Sequence, residues 1–246
     1  MRRHAPAFLG LALGAAGPVA AEEPAPETVV LLHGLAQSDF SMRPLAARLR
    51  SAGFRVHAIR YESTGKEPAA LVDDLAGELA RCCAEAQRLH FVTHSLGGVL
   101  LRAYLAERAL PNLARVVMLA PPNHGSELAD VVRGSRALRG AFGPTATELG
   151  TSPDSLPNRL PPADFEVGVI AGTSTVNPLG SWLIPADDDG TVSVASARLE
   201  GMSDFVTLPV SHTWILLSGE AARQTLAFLA HGRFVHAPAD GPETAP

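Results

Sequence analysis

The sequence predicts an α/β protein with a mostly parallel sheet of about six strands and helices on both faces. Short aliphatic and β-branched runs alternate with longer amphipathic segments, which is the pattern of strand–helix–strand crossovers. The first run, TVVLL at residues 28–32, is almost continuously apolar, as expected of a strand buried on both faces. With 246 residues, 46% of them hydrophobic, the chain can bury one sizeable core.

The elements are bounded by local start and stop signals. Pro68 opens a long amphipathic helix, and Gly53 closes the helix before it. Strands are predicted at residues 28–32, 54–59, 89–92, 115–119, 166–170 and 205–208. Helices are predicted at residues 42–52, 68–86, 96–107 and 213–229.

One long stretch, about residues 121–162, interrupts this alternation. It contains helical patches around residues 128–132 and 138–142, followed by a proline-rich run. In a compact α/β domain such an insertion is usually a functional cap. A packed surface excursion without a role in binding is the alternative.

The two ends of the chain differ from the rest. Arg2 and Arg3 precede an uncharged apolar stretch at residues 7–16, and small residues stand before Glu22. This pattern predicts a cleaved signal peptide at residues 1–21 and a secreted or periplasmic protein, because the run is too short to span a bilayer. A short membrane anchor is the alternative. The domain is expected at residues 22–231, followed by a disordered Pro/Ala-rich tail at residues 232–246.

Charge and cysteine content exclude several classes of function. The chain has 20 basic against 25 acidic residues, so no nucleic-acid partner is expected. It contains no phosphate-loop motif. Cys82 and Cys83 are neighbours in a predicted helix and should point in different directions, so no structural disulfide is expected. The acidic run at residues 187–189 lacks the spaced ligands of a calcium loop. No cofactor and no metal are predicted.

The strongest local signal is the segment FVTHSLGG at residues 91–98. A buried strand runs directly into a helix with Ser95 at the bend, which forces the serine into a strained conformation and exposes its hydroxyl. Positions two before and two after the serine must be small. Gly97 satisfies this fully, and Thr93 stands where a glycine is usual.

The chain resembles the bacterial secreted lipase and esterase branch of the α/β-hydrolase superfamily. The matching segments are LHGL (32–35), THSLGG (93–98), DGTV (189–192) and SHT (211–213). They occur in the family's order of oxyanion loop, nucleophile, acid and base. The likeness covers roughly residues 28–229 and implies a minimal α/β-hydrolase fold with a small cap insertion.

The resemblance implies a role for each matching residue. Ser95 would be the nucleophile and His212 the base that takes its proton. Asp189 would fix the tautomer of that histidine, with Asp187 as the alternative acid. The backbone amides of Leu35 and Leu96 would form the oxyanion hole.

The other histidines are expected to be structural. His94 should point away from the attack site and pack, and His33 should hydrogen-bond the loop backbone. His124 lies in a turn where Ser126 is expected to cap the next helix. The remaining histidines are expected to lack acid partners.

These features predict a carboxylic ester hydrolase acting on a small-molecule or lipid ester. Transient contact with a lipid surface is compatible with that substrate class. Acyl transfer to another alcohol, or deacylation of a glycolipid, would use the same triad. A non-catalytic binding protein with the hydrolase fold is the alternative of another class, because fold does not fix function.

Overall fold

The chain forms one parallel sheet in a computed structural model, which describes residues 26–176, 178–184 and 186–236. The described strands are β1 (Thr28–Leu32), β2 (Arg55–Ile59), β3 (Leu89–His94), β4 (Leu113–Leu119), β5 (Val167–Gly172) and β6 (Asp204–Leu208). Their order across the sheet is β2-β1-β3-β4-β5-β6, and every neighbouring pair is parallel. The predicted fold class is confirmed.

Helices cover both faces of this sheet. Those of the described residues are α1 (Arg43–Ser51), α2 (Pro68–Cys82), α3 (Leu96–Glu107), α4 (Glu127–Gly134), α5 (Arg136–Thr147), α6 (Leu156–Arg159), α7 (Pro178–Leu183), α8 (Val194–Ala197) and α9 (Gly219–His231). Successive strand residues point to opposite faces. Val30 and Leu32 therefore pack with α2 and α3, whereas Val29 and Leu31 pack with α1 and α9.

The strand order reverses between β1 and β3. In open α/β sheets ligands bind outside the carboxyl ends of the strands at such a switch point. The chain leaves β1 into residues 33–35 and leaves β3 into Ser95. The topology alone therefore places the predicted oxyanion loop beside the predicted nucleophile.

The insertion after β4 is helical and is anchored at both ends by one side chain. It contains α4, α5 and α6. Arg102 of α3, which is 5% exposed, donates to the carbonyl of Asn123 and to the carbonyls of Leu160 and Pro161. Burial lowers the pKa of Arg102 to about 10. The guanidinium thus joins the beginning and the end of the cap without an acid partner among the described residues.

The expectation of two free thiols is wrong. Cys82 and Cys83 are joined by a disulfide. The predicted helix was to continue through residue 86, but α2 ends at Cys82, and Cys83 has φ −135° and ψ 8°. Since Cys83 has left the helical conformation, its sulfur is free to turn toward that of its neighbour.

The C-terminal region differs from the prediction in two ways. The expected helix at residues 213–229 is a 3-10 turn, Trp214–Leu216, followed by α9, because Ser218 caps a new helix by accepting from the amide of Ala221. The chain also stays packed past residue 231: Phe234 is buried against Phe228, and its amide donates to Asp204.

The predictions for the far ends of the chain lie outside the described residues. These are the signal peptide at residues 1–21 and the part of the tail beyond residue 236. Within the described residues, no helix combines the length and the apolar character needed to cross a bilayer.

Candidate active site

Ser95 sits at a sharp turn between β3 and α3. Its φ of 52° and ψ of −124° are strained for a residue with a side chain. The turn is held by two hydrogen bonds, from the Ser95 amide to the carbonyl of Leu119 at 2.9 Å and from the Gly98 amide to the carbonyl of Ser95 at 3.0 Å. A Cβ at Gly97 would approach the carbonyl oxygen of Leu32 to 2.6 Å. The turn therefore requires glycine at this position.

The side chains of Ser95, His212 and Asp189 form a continuous line of hydrogen bonds. The Ser95 hydroxyl donates to Nε2 of His212 at 3.0 Å, and Nδ1–H of His212 donates to Oδ2 of Asp189 at 2.8 Å. The His212 amide also donates to the carbonyl of Asp189 at 2.9 Å. The loop after β6 and the loop after β5 are thereby joined at both backbone and side-chain level.

The carboxylate of Asp189 is buried and fully engaged. It is 2% exposed, and its Oδ1 accepts from the amides of Thr191 at 3.0 Å and Val192 at 2.8 Å. Gly190, with φ of 93°, makes the turn that brings these amides back to the acid. With Oδ1 satisfied, Oδ2 is left for the histidine.

The other two acids of the run have different surroundings. Asp188 accepts from the Ser181 hydroxyl and from the Gly190 amide, both at 2.6 Å. Asp187 is exposed to solvent. Of the three acids, Asp189 is the one that reaches His212.

The loop after β1 lies against Ser95 and leaves one amide available. A Cβ at Gly34 would be 3.1 Å from Cβ of Ser95. The Gly34 amide donates to Oε1 of Gln37, and the Ala36 amide donates to Oγ of Ser63. Between them, the amide of Leu35 has no acceptor among the described residues, and the same holds for Leu96 at the start of α3.

His94 has a polar contact that sequence reasoning missed. The expectation was packing alone, and the residue is fully buried. However, its Nε2–H donates to the carbonyl of His212 at 2.9 Å, its Nδ1 lies 3.1 Å from Oε1 of Gln37, and the two imidazole centroids are 4.9 Å apart. Burial, with a smaller contribution from the nearby His212, lowers the pKa of His94 to about 3. His94 therefore supports the backbone of His212 as a neutral ring.

The other candidate histidines take structural positions. His33 stacks on Tyr61 with centroids 4.0 Å apart, and its Nδ1 lies 2.9 Å from the carbonyl of Gly34. His124 is exposed beside Asn158. Ser126 caps α4 by accepting from the Leu128 amide, as expected.

The expectation that the remaining histidines lack acid partners is wrong for two of them. Nε2 of His90 lies 2.7 Å from Glu27, and Nε2 of His236 lies 2.9 Å from Asp204. Both pairs join residues far apart in the sequence, so local patterns could not indicate them. Neither pair includes a residue of the line formed by Ser95, His212 and Asp189.

A cavity of about 270 Å³ opens on Ser95 and His212. Much of its wall comes from the cap, and the cap residues that line it are mainly apolar: Leu128, Ala129 and Val132 on α4, Phe142 and Ala146 on α5, and Leu149. Leu35, Gln37, Thr191 and Val192 complete the wall near the serine. The site is thus a serine hydroxyl at one wall of an apolar chamber.

Comparison with known proteins agrees with the observed fold. Residues 29–243 match the alpha/beta hydrolase family. A search of curated protein sequences gives no match.

Similar solved structures include Bacillus licheniformis lipase BlEst2 in its mature form, at 21% identity and a TM-score of 0.65 over 88% of this chain and 96% of that one. Phospholipase PlaB from Legionella pneumophila matches at 19% identity and a TM-score of 0.63, over 84% of this chain and 57% of that one. The metagenomic carboxyl esterase MGS0156 matches at 20% identity and a TM-score of 0.60, over 81% and 70%. At these identities the likeness establishes the fold.

Proposed function

This chain belongs to the alpha/beta hydrolase family, and we propose that it is a serine hydrolase that cleaves carboxylic esters through an acyl-enzyme on Ser95. Fold alone does not fix the reaction. The observation that supports the proposal most is the line of hydrogen bonds from the Ser95 hydroxyl to His212 at 3.0 Å and on to Asp189 at 2.8 Å. This arrangement meets the geometric requirement for an activated nucleophile.

The first half of the reaction forms the acyl-enzyme. Nε2 of His212 takes the hydroxyl proton as Oγ of Ser95 bonds to the ester carbonyl carbon. The carbonyl oxygen becomes negative and meets the amides of Leu35 and Leu96, which have no other acceptor among the described residues. Asp189 stabilises the imidazolium. The ester C–O bond then breaks, and the leaving alkoxide takes the proton from Nε2.

The second half releases the acid. Water enters, Nε2 of His212 takes one of its protons, and the hydroxide oxygen bonds to the acyl carbon. The bond to Oγ of Ser95 breaks, and the serine recovers its proton from the imidazolium. An alcohol in place of water would give acyl transfer with the same intermediate. Hydrolysis is the simpler proposal, because water is always present.

The cavity supports an acyl ester as substrate. Its apolar cap residues can cover a hydrocarbon chain, whereas Ser95 and His212 meet the ester group at its polar wall. Small-molecule and lipid esters both have this division into an apolar chain and a polar linkage.

The proposal is tested by rapid mixing with a p-nitrophenyl ester. We expect a burst of nitrophenol close to one equivalent per active site, because acylation by this activated ester releases the alcohol and the acyl-enzyme accumulates when its hydrolysis is the slower step. Ser95→Ala should abolish the burst. Ser51→Ala, an exposed serine on α1, is the matched control and should keep it. A full burst from Ser95→Ala would refute the mechanism.

A further inference from the structure

The cap carries an exposed surface that has no role in the proposed reaction apart from Phe142, which also lines the cavity. We call it the cap face and define it by Val131 and Arg133 on α4 and by Arg136, Arg139 and Phe142 on α5. Val131 is 43% exposed and Phe142 37% exposed. The three arginines are also exposed.

The cap face spans the two packed cap helices. Arg136, Arg139 and Phe142 follow one another at intervals of three residues, so they are neighbours along one side of α5. Helix α4 packs against α5, and the guanidinium of Arg139 donates to the carbonyl of Arg133 at 2.6 Å. Val131 and Arg133 are two residues apart and lie on different sides of α4, so basic and apolar groups meet along α5 and at the end of α4.

The charge of the cap face is of one sign. Residues 131–147 contain three arginines and no acidic residue, although the whole chain has a net charge of −5. Among the described residues, none of the cap-face arginines has an ion-pair partner. Asp130, the nearest acid in the sequence, accepts from the amide and hydroxyl of Thr151 instead.

We propose that the cap face docks on an anionic lipid surface. Arginines close to such a surface are attracted by its negative potential, and apolar side chains beside them enter the boundary between headgroups and acyl chains. Trp182, which is 82% exposed, lies on α7, and α7 packs against α4. Tryptophan is enriched at the level of the headgroups.

A lipid surface fits better than an acidic protein because the cap face leads into the cavity. Phe142 belongs to the cap face and also lines the chamber that opens on Ser95. A docked cap would thus bring the apolar chamber to the source of an acyl chain. The docking itself stands on charge and exposure; only its use in collecting substrate rests on the proposed function.

The test is sedimentation of the full chain with vesicles of phosphatidylcholine, alone or with roughly one-third phosphatidylglycerol. Binding is expected with the anionic vesicles and should weaken as salt is added. The cap triple variant carries Arg133→Gln, Arg136→Gln and Arg139→Gln. It should lose about 100-fold in partition constant, as expected for three arginines near an anionic surface.

A matched triple variant makes the same charge change elsewhere. Arg55→Gln, Arg60→Gln and Arg233→Gln alter three exposed arginines outside the cap, none of which has an ion-pair partner among the described residues. It should bind within about threefold of the unaltered chain, because surface charges beyond a Debye length are screened. Both variants keep residues 1–25, so any contribution of that segment is equal in both.

Three results would overturn the proposal: equal binding to vesicles of phosphatidylcholine alone, an equal loss in the matched triple, or no binding to either vesicle. The last would direct attention to an acidic protein partner. Turnover of a short water-soluble ester distinguishes a failure of the docking proposal from a failure of the proposed hydrolase function. The cap-face arginines do not line the cavity, so the cap triple should keep that turnover even though it has lost vesicle binding.

Discussion

Replacing His94 with glutamine should make the protein less sensitive to acid. In the folded chain His94 is fully buried, and its Nε2–H donates to the carbonyl of His212. A glutamine amide can still donate to that carbonyl, but it cannot take up a proton as the pH falls. His94→Gln therefore removes a titrating group from this position.

The size of the effect follows from the pKa of His94. The value is 6.5 in an unperturbed histidine and about 3 in the folded chain. Between these values the unfolded chain binds a proton that the folded chain does not, so the free energy of unfolding decreases as the pH falls. The contribution of neutral His94 to the free energy of unfolding is fully present above pH 6.5. It is lost progressively as the pH falls toward 3. At two pH units below 6.5 the loss is about 3 kcal/mol.

The assay is urea unfolding at about pH 7.5 and about pH 4.5, where linear extrapolation gives the free energy of unfolding. The loss on acidification should be smaller by about 3 kcal/mol in His94→Gln than in the unaltered chain. Burial also lowers the pKa of His33 and His90. Both residues are present in the unaltered chain and in His94→Gln, so the difference between the two proteins reports on His94. The control His124→Gln changes an exposed histidine and should behave as the unaltered chain. An unchanged acid sensitivity in His94→Gln would refute the reasoning.

Three further results are expected. Asp189→Asn should lose roughly ten-thousand-fold in ester turnover, while Asp187→Asn, at an exposed position, should lose less than about tenfold. Equal losses in the two variants would contradict the assignment of Asp189 as the acid that partners His212. Ala146→Phe adds a ring at a buried wall of the cavity. It should lower kcat/KM for a long-chain p-nitrophenyl ester by about tenfold or more relative to kcat/KM for p-nitrophenyl acetate. Ala141→Phe, at an exposed position on the same helix, should not. N-terminal sequencing of the protein exported by its host should show a first residue near Glu22. A chain that still begins at Met1 would contradict the cleavage of a signal peptide.

Much of the fold could be predicted because its signals are local. The apolar run of β1 and the bend at Ser95 both lie within a few residues, and the helix after that bend, Leu96–Glu107, has the predicted bounds. In contrast, α7 and α8 have six and four residues. Elements this short show too little of the helical period to be recognised.

The ends of the longer helices depend on contacts that the sequence pattern does not contain. The amphipathic pattern of α2 fits residues up to 86, yet the helix stops at Cys82, and this early end permits the disulfide with Cys83. Likewise Phe234 holds the chain beyond α9 by packing on Phe228. Two apolar side chains, Phe234 and Val235, in a Pro/Ala-rich segment were too weak a signal for that contact.

Long-range contacts also limited the prediction of the site. The sequence motifs gave the residues that the structure brings together, and their catalytic roles stay a proposal. The support that His94 gives to the carbonyl of His212 joins residues 118 positions apart. Ser63 accepts from the amide of Ala36, 27 positions away, and this contact, too, has no local pattern.

Labelling with a serine-reactive fluorophosphonate tests the central claim most directly. The account predicts one adduct per chain, located at Ser95 by peptide mass analysis, and no adduct in Ser95→Ala. Ser126→Ala removes the other serine among the described residues that line the cavity and should still give the adduct at Ser95. An adduct at Ser126, or stoichiometric labelling of Ser95→Ala, would contradict the assignment of Ser95 as the nucleophile.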